Sequence, residues 1–381
     1  MYEVRFGQGK KDRMTRPHIL FVANEVLGWA TYARQFEAAL NARNDIQATV
    51  LRRRPSRLWM QFARRHADSG IMRHLRPFDP VRLHAGLLGR DIRRAVEAKR
   101  PDIIHFAAHW PAGAIAGVRD APPYTLALDA TRASLGRDLP LPGWTKAECT
   151  AEARLCQGAA HLFPMSNWAA NSLRGDYLIP AARMQVSPPS IDPGQWPKQA
   201  TVDGAIPQIL FIGNDLKRKG ADRLARWVEG PLAGRCHLHI LSSDTRAPPQ
   251  GRNITFHGRV PHDRLLRDLM PGMDMFCLPT RLDMSPFVLA EAAAAGLPAV
   301  ASDLGGIADM IDDGKTGFVL PTTDDNGFIG ALSELIDNIG LRQRMGQAAR
   351  SFAAERFDGK KNFNDAIDRL VGIAALRKAV V

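Results

Sequence analysis

Cysteine is scarce in this sequence of 381 residues. The four cysteines are Cys149, Cys156, Cys236 and Cys277, and no two of them have the Cys-x-x-Cys spacing. Four are too few for a disulfide framework in a chain of this length, which excludes a disulfide-stabilised secreted scaffold. We interpret them as reduced thiols of a cytoplasmic protein.

Long hydrophobic runs are also missing. The longest, HILFVA (18–23) and LAEAAAAGLPAVA (289–301), fall short of the roughly 20 apolar residues that cross a bilayer, so no membrane span is expected. The N-terminal MYEVRFGQGKKDRMTR is charged but leads into no apolar stretch of signal-peptide type, and we expect no export. With 45% hydrophobic and 24% charged residues and no low-complexity tract, the chain should be globular, with more than one core.

The positive charge is concentrated in one stretch. The sequence has 51 Lys and Arg against 39 Asp and Glu, a formal net charge of +12. Residues 51–100 contain fourteen basic and four acidic residues, so ten of those twelve net charges lie there. Between residues 58 and 78, Leu, Trp, Met, Phe and Ile are interleaved with the arginines.

Two interpretations of residues 51–100 stay open. Basic residues mixed with apolar ones suit helices lying on an anionic membrane surface, and the charge would also attract nucleic acid. The alternative is a solvated basic face around a pocket for an acidic substrate. If residues 51–100 bind an external partner, we expect that partner to be the anionic surface of the inner membrane face and not nucleic acid.

From residue 17 onward, short apolar runs alternate with helical periodicity, the pattern of βα units around a parallel sheet. Helices are predicted at 29–40 and 90–100. The strands predicted in this first half are HILFVAN (18–24), IQATVL (46–51), PDIIHFAA (101–108), YTLALDAT (124–131) and AAHLFPMS (159–166). We assign them to one doubly wound unit.

A stretch with five prolines, 187–208, has no periodicity and predicts a linker. The βα pattern then restarts, with strands predicted at 208–213, 236–242, 254–260, 275–280, 298–302 and 317–320. We therefore predict an α/β protein with two Rossmann-like, doubly wound domains that face each other across a cleft. The N-terminal domain would span 17–190 and be completed by a C-terminal helix at 360–381, and the C-terminal domain would span 205–358.

A basic loop follows the first strand of the second half. The strand QILFIG leads into NDLKRKG and then into the helix ADRLARWVEG, so Gly213 and Gly220 bracket Lys217, Arg218 and Lys219. Free backbone N–H groups and the dipole at a helix N-terminus favour an anion, and three full charges add to this preference. The loop predicts a phosphate site, although surface loops are often basic without one.

Two acidic residues, Asp283 and Glu291, lie eight positions apart within PTRLDMSPFVLAEAAAAGLPAVASDLGG (279–306). Ser285 is a predicted N-cap and Pro286 the first residue of the helix, which would leave the next N–H groups free for an anion. Carboxylates suit sugar and ribose hydroxyls because each accepts more than one hydrogen bond. The alternative is that Glu291 faces solvent on an ordinary helix.

These motifs resemble those of a known family, the retaining glycosyltransferases of family 4, which have the GT-B fold. ILFIGNDLKRKGADRL (209–224) is similar to the family's segment of a glycine, a basic residue and Lys-Gly. Residues 279–320 are similar to its spaced acidic pair and to the Gly-Leu-Pro, Gly-Gly and Asp-Gly-x-x-Gly turns that follow the pair. The resemblance runs from about residue 17 to 360 and is strongest over 208–320.

The resemblance implies a donor site in the second half. Lys219 would hold the diphosphate of a nucleotide sugar, Glu291 the ribose hydroxyls, and Asp283 would lie near the hydroxyls of the donor sugar. Asp283 stands where the family has a glutamate and is one methylene shorter. The other implied donor contacts are Gly28, Gly213, Asn214, Arg218, His257, Val260, Phe287 and Val288.

Two positions depart from the family's pattern. The family usually has an arginine where this chain has Asn214, and we expect Arg218 to supply the missing charge from the other end of the loop. Pro286 replaces a residue that often offers an N–H group, which leaves Phe287 and Val288 as the backbone donors.

In the first half, Gly28 looks like the glycine that lets the backbone approach the donor phosphates. His105 and His109, in IIHFAAHWPAG (103–113), are similar to the family's histidine-containing strand end and are candidates for acceptor contact, although lone histidines are often structural. Asp129 stands where many relatives have a histidine near the reacting carbon; it would orient the acceptor hydroxyl or be structural. The catalytic residues assigned by the resemblance are Asp129, His109 and Lys219.

The implied activity is transfer of a hexose, with retained anomeric configuration, from a UDP- or GDP-sugar to a hydroxyl of a glycan, glycolipid or small molecule. The sequence has no Asp-x-Asp motif, and we expect no metal and no cofactor beyond the nucleotide sugar. Two alternatives within enzymes are a GT-B phosphorylase and a sugar-nucleotide epimerase. A third alternative is a polyanion-binding protein with a decayed transferase core.

Overall fold

The computed structural model describes residues 16–24, 28–53, 80–116, 118, 120–139, 141, 144–197 and 206–380. Within these residues the chain forms two separate parallel sheets, one in each half. None of the helices described there has the length and apolar character needed to span a bilayer. Residues 54–79, the centre of the basic stretch, lie outside the described residues, so the interpretations of that stretch stay predictions.

The first half alternates strands and helices. Its strands are β1 His18–Asn24, β2 Gln47–Arg53, β3 Ile103–Phe106, β4 Tyr124–Leu128 and β5 His161–Pro164. Its helices are α1 Trp29–Asn41, α2 Pro80–Lys99, α3 Arg132–Asp138, α4 Lys146–Gly158 and α5 Asn167–Gly175. All neighbouring strands are parallel, and the order across the sheet is β2-β1-β3-β4-β5.

The second half repeats this plan with six strands, in the order β11-β10-β9-β6-β7-β8. Its strands are β6 Gln208–Ile212, β7 His237–Leu241, β8 Ile254–Gly258, β9 Met275–Leu278, β10 Ala299–Ser302 and β11 Gly317–Leu320. Its helices are α6 Leu216–Lys219, α7 Ala221–Glu229, α8 His262–Arg264, α9 Phe287–Ala295, α10 Asp325–Asp337, α11 Ile339–Arg356 and α12 Gly359–Val380. The prediction of two Rossmann-like α/β domains is confirmed.

Five strands are buried along their whole length. Every residue of β3, β4, β5, β9 and β10 is buried. Parallel strands that are covered on both faces consist of continuous apolar residues rather than alternating ones. This is why the sequence shows them as short uninterrupted runs.

Each sheet contains a point at which the strand order reverses. In the first sheet β1 lies between β2 and β3, and in the second β6 lies between β7 and β9. The loops that leave the two central strands therefore diverge to opposite sides and open a crevice at the carboxyl edge of the sheet. The loops after β1 and β3 in the first half, and after β6 and β9 in the second, carry the residues singled out in the sequence.

The chain passes between the halves at two adjacent places. The N–H of Ile191, in the predicted linker, donates to the carbonyl of Phe357 at 2.9 Å, and the N–H of Gly359 donates to the carbonyl of Ile191 at 2.6 Å. Beyond this crossing, α12 packs on α1, where the ring of Phe363 lies 5.6 Å from those of Tyr32 and Phe36. The last helix thus lies against the first half.

Most predicted boundaries differ from the observed ones by a few residues, and three of the differences are described here. The strand predicted over 101–108 occupies Ile103–Phe106, and the one predicted over 124–131 ends at Leu128, so that His109 and Asp129 lie on loops. The apolar run continues past the sheet because the loops at its edge are themselves buried. Helix α2 begins at Pro80, ten residues before the predicted start.

Candidate active site

Lys219 is positioned by a short helix between two glycines. Helix α6 begins after Asp215, whose carboxylate accepts from the N–H of Arg218 at 3.1 Å. It ends at Gly220, which has φ +85°, and a Cβ there would collide with the carbonyl of Pro279. A Cβ on Gly213 would lie 3.0 Å from Cγ of Lys219, so both glycines allow the close packing that brings the lysine stem across the loop.

The Lys219 ammonium donates to the carboxylate of Asp283, which follows β9. Both side chains are only 12% exposed. The guanidinium of Arg218 lies 4.0 Å from the same carboxylate oxygen. The guanidinium of Arg218 also lies 3.4 Å from the carboxylate of Asp215. The two cations are therefore paired with two carboxylates. The structure brings together the basic loop and the first acid of the pair, which lie 64 residues apart in the sequence.

Helix α9 starts beside this pair, but not as predicted. Pro286, rather than Ser285, occupies the N-cap position, and no side chain caps the helix. The prediction of a Ser285 cap is wrong: its Oγ is buried without a hydrogen-bond partner among the described residues. Proline fixes the entry of the chain into the helix but offers no side-chain acceptor. Phe287 and Val288 are the first helical residues, whose N–H groups have no carbonyl partner within the helix.

Glu291 lies one helical turn after Phe287 and is partly buried. Burial raises the pKa of its carboxyl group to about 7, and the positive charge of Arg34 acts in the opposite direction. Because Arg34 is on helix α1, Glu291 is within electrostatic reach of the first half. The interpretation of Glu291 as a simple solvent-facing residue is therefore wrong.

Asp129 and His109 approach the site from the first half. Burial raises the pKa of Asp129, the charge of His109 counteracts this rise, and the carboxylate of Asp283 adds to it. The carboxyl group of Asp129 is thus close enough to Asp283 to sense its charge, although the two residues follow strands of different sheets. Residues after β3, β4, β6 and β9 meet at one cleft.

Glu152 is a residue that the sequence analysis missed. Its Oε1 lies 2.6 Å from Nε2 of His109, and its Oε2 accepts from the N–H of Arg132 at 2.6 Å and from the hydroxyl of Tyr177. Burial alone would raise its pKa, but these contacts hold the pKa at about 2. Glu152 and Cys156 are the two buried residues of helix α4, one turn apart, and this spacing was the available signal for an inward-facing carboxylate.

His105 does not reach the cleft. Its ring is fully buried between Phe21, Phe36 and Phe163, and its nitrogens bond to Tyr32 Oη at 2.9 Å and to Thr125 Oγ1 at 2.8 Å. Burial lowers its pKa to about 3, so the ring is neutral. The prediction of acceptor contact is wrong for His105, which is a structural residue.

Three further predicted donor contacts lie on loops or strand ends of the second half. Asn214 Oδ1 accepts from the N–H of Ser243 at 3.0 Å, which ties the loop after β6 to the loop after β7. His257 bonds through Nε2 to Nδ1 of His239 at 2.8 Å, so its ring is engaged along the sheet. Val260 is partly buried just beyond the end of β8.

Gly28 lies opposite the start of helix α9. A Cβ on this exposed residue would lie 3.7 Å from the ring of Phe287, in ordinary contact across the two halves. Gly28 and the free N–H groups of α9 therefore line the same part of the cleft. No cluster of three or more His, Cys, Asp or Glu side chains suited to a metal ion occurs within the described ranges.

Two family sequence models match complementary parts of the chain. The one described as Glycosyltransferase Family 4 matches residues 26–195, and the one described as Glycosyl transferases group 1 matches residues 206–338. Glycogen synthase of Mycobacterium tuberculosis is 28% identical over 68% of this chain. The chain spans 66% of that relative's length, just under two thirds.

Solved structures with the same fold cover nearly the whole chain. Sucrose-phosphate synthase of Thermosynechococcus elongatus has a TM-score of 0.74 at 16% identity, over 95% of this chain and all of its own. HepE of Anabaena, crystallised with UDP-glucose, has a TM-score of 0.66 at 15% identity, over 93% of this chain and 99% of its own. The chain belongs to glycosyltransferase family 4, and its fold is GT-B.

Proposed function

We propose that the protein transfers a hexose from a nucleotide-diphosphate sugar to a hydroxyl acceptor, with retention of the anomeric configuration and without a metal ion. The observation that supports this most is the grouping of Lys219, Arg218 and Asp283 beside the open N-terminus of α9. It lies at the strand-order reversal of the second sheet, where α/β proteins bind nucleotides.

The donor is proposed to bind mainly to the second half. Lys219 and the N–H groups of Phe287 and Val288 bind the diphosphate, and Glu291 accepts hydrogen bonds from the ribose hydroxyls. Asp283, in the loop between β9 and α9, accepts hydrogen bonds from hydroxyls of the transferred sugar. The UDP-glucose complex of HepE makes a UDP-sugar the first donor to test, with a GDP-sugar as the alternative.

The chemical demand of the reaction is stabilisation of the leaving group. The bond between the anomeric carbon and the diphosphate oxygen breaks, and negative charge develops on that oxygen. Lys219, Arg218 and the helix N-terminus are fixed in place before the reaction and act in a partly closed cleft, where such charges are most effective. Asp129 and His109 are proposed to orient the acceptor hydroxyl, and Glu152 fixes the ring of His109.

Replacement of Lys219 tests the assignment. We expect Lys219→Ala to lower kcat with UDP-glucose or the preferred donor by about 100-fold or more, because removal of one preorganised donor to the developing charge typically costs this much. Turnover is measured from release of nucleoside diphosphate, and circular dichroism checks the fold. The anomeric configuration of the product is read from its NMR coupling constant, and turnover is compared with and without a chelator.

Lys217→Ala is the matched control, because Lys217 is exposed on the same turn of α6. Its turnover should stay within about threefold of the parent, as expected for a surface charge. Near-normal transfer by a folded Lys219→Ala variant would show that the leaving group is bound elsewhere. An inverted product or full dependence on a metal ion would contradict the proposed reaction.

A further inference from the structure

A second cavity opens beside His109 in the first half. It has a volume of about 510 Å³ and lies between residues 110–116 and helix α4. Its lining residues are His109, Trp110, Gly113, Ala116, Tyr124, Arg132, Ala151, Glu152, Arg154, Leu155 and Gly158. Its place next to the residues proposed to orient the acceptor connects it with the proposed function, on which the inference below rests.

Two arginines bring positive charge to this cavity without a carboxylate partner. The side chain of Arg132, at the first position of α3, donates to the main-chain carbonyl of Glu148 at 3.2 Å. Arg154 is exposed on α4 and has no hydrogen bond or ion pair within the part of the chain that the structure describes. Guanidinium groups without a carboxylate partner are well suited to bind a phosphate or carboxylate of a ligand.

The one carboxylate of the cavity wall does not cancel this charge. Glu152 is 3% exposed, and its two oxygens are occupied by His109, by the N–H of Arg132 and by the hydroxyl of Tyr177. Its charge is therefore directed toward these three donors rather than into the cavity. The arginine heads remain the charged groups available to a ligand.

The rest of the cavity wall is mainly apolar and has no long side chain filling it. Trp110, Leu155 and two alanines line it, and the space beside Gly113 is open. A Cβ on Gly158 would approach the hydroxyl of Tyr124 at 2.6 Å, so the wall there is formed by main chain packed closely on that ring. Such walls suit the carbon skeleton of a sugar, a polyol or the glycerol portion of a lipid.

We infer that this cavity binds the acceptor, and that the acceptor carries a phosphate group held by Arg132 and Arg154 while its reacting hydroxyl lies near His109 and Asp129. The phosphate can belong to a soluble sugar phosphate or to a phospholipid headgroup, which share this chemistry. The distinctive requirement is a negative charge on the acceptor close to the hydroxyl that accepts the sugar.

Paired probes that differ only in phosphate test the inference. Titration calorimetry in 150 mM salt compares glucose 6-phosphate with glucose, and dioctanoyl phosphatidylglycerol, below its micelle concentration, with dioctanoylglycerol. We expect at least one phosphorylated probe to bind tenfold or more tightly than its partner. Arg154→Gln and Arg132→Gln should each remove most of this preference. A preference within the glucose pair identifies a soluble sugar phosphate as the acceptor, and a preference within the glycerol-lipid pair identifies a phospholipid.

Arg174→Gln is the control for general attraction to a basic protein. Arg174 is exposed on α5 outside the cavity and bonds only to Asn171 at 2.7 Å among the described residues. Its substitution should change the preference less than twofold. Equal binding of phosphorylated and unphosphorylated probes, or an Arg174→Gln loss as large as that of Arg154→Gln, overturns the inference. Since Arg154 is exposed, its variant decides the matter even if Arg132→Gln fails to fold.

Donor binding is measured on the same variants, so that failure of this inference is distinguishable from failure of the proposed function. UDP-glucose should bind Arg154→Gln as tightly as the parent, because Arg154 belongs to the other half of the molecule. Donor binding without any phosphate preference would retain the transferase proposal and remove this acceptor site. A phosphate preference without donor binding would retain a phosphate-binding cavity but overturn both the transferase proposal and the assignment of the cavity to an acceptor.

Discussion

Three carboxyl groups around the cleft differ in their affinity for protons because their surroundings differ. Burial raises the pKa of Glu291 to about 7, and burial together with the Asp283 charge raises that of Asp129. Glu152 is more deeply buried than either, yet contacts with His109 and Tyr177 hold its pKa at about 2. Hydrogen-bond donors, more than depth, therefore decide which of these acids is ionised at neutral pH.

The raised pKa of Glu291 makes a prediction about stability. The folded protein binds a proton at this site between about pH 4.5 and pH 7, where the unfolded chain does not, so this group's contribution to the free energy of unfolding falls as pH rises through that range. Glu291→Gln removes this penalty. We expect the variant to gain about 1–3 kcal/mol over the parent between pH 5 and pH 8, measured by urea unfolding.

Glu355→Gln serves as the control, since Glu355 is exposed on α11. Its unfolding curve should follow that of the parent at every pH. Parallel curves for the parent and Glu291→Gln would mean that Glu291 is already ionised and well solvated in the folded protein, contrary to the burial described.

Among single residues, the sequence indicated candidates whose signal is local. Lys219, Asp283 and Glu291 were singled out because each lies in a short motif with turns of its own, and the structure places Lys219 and Asp283 in contact, while their roles toward a donor stay predictions. Glu152 was not, because its partner His109 lies 43 residues away and only the tertiary fold brings them together. His105 was misassigned because a histidine at a strand end has the same pattern whether it faces the cleft or the core.

Among the secondary-structure elements, helix α5 has N-terminal N–H groups that donate hydrogen bonds to acceptors in both halves of the molecule. Ser166 Oγ accepts from the N–H of Ala169 at 3.1 Å. The N–H of Asn167 donates to Asp309, in the other half, at 2.6 Å, and its side-chain amide donates to the same carboxylate at 2.8 Å. The N–H of Trp168 approaches Asp309 at 3.4 Å. A carboxylate at a helix N-terminus binds the free N–H groups and the positive end of the dipole.

Loss of this carboxylate should loosen the start of α5. We expect Asp309→Ala to lower the free energy of unfolding by about 1–2 kcal/mol, the usual cost of a lost helix cap with its charge, and Asp309→Asn to lower it by less. Hydrogen–deuterium exchange should become faster at the amides of Asn167 and Trp168.

Asp365→Ala is the matched substitution, because Asp365 is exposed in the interior of α12. It should leave exchange at α5 unchanged. Unchanged exchange in Asp309→Ala as well would indicate that the contact between the halves does not persist in solution.

Element positions were predicted well where apolar runs coincide with strands, as in β1 and β11, whose bounds match. The start of α9 was misplaced by one residue, because Ser-Pro is a common N-cap pair whose geometry depends on the preceding loop. The contact of Asp309 with α5 could not be predicted, since Ser166 alone accounts for a helix start in sequence.

In the molecule as a whole, a partly buried arginine joins the segment that connects the halves to the second half. Arg350 of α11 donates to the carbonyls of Trp196 at 2.9 Å, Pro197 at 3.1 Å and Ala294 at 2.9 Å. The prolines of 187–208 did predict a connection here. The second crossing, at 357–359, lies where the predicted return of helix 360–381 to the first half requires one, although nothing in its local pattern marks it.

The uneven charge of the chain predicts contact with anionic membranes. Vesicles with 30% phosphatidylglycerol should co-sediment the protein at 50 mM salt, and vesicles of phosphatidylcholine alone should not, since each surface Lys or Arg contributes about 1 kcal/mol. The double variant Arg64→Glu/Arg65→Glu, within the basic stretch, should bind the anionic vesicles at least tenfold more weakly.

A charge-matched double variant in the other half, Arg226→Glu/Arg252→Glu, replaces two exposed arginines. It should retain most of the vesicle binding. Equal losses in both double variants would attribute the attraction to net charge alone, and binding to neutral vesicles would point to apolar insertion instead.

The position of α12 has a consequence for how the protein is made. Phe363 completes an aromatic group with Tyr32 and Phe36, which leave the ribosome more than 300 residues earlier. During synthesis the second half can complete its own sheet first, while the first half, although translated earlier, still lacks the helix that covers its hydrophobic side. Order of translation and order of completion are therefore reversed in this molecule.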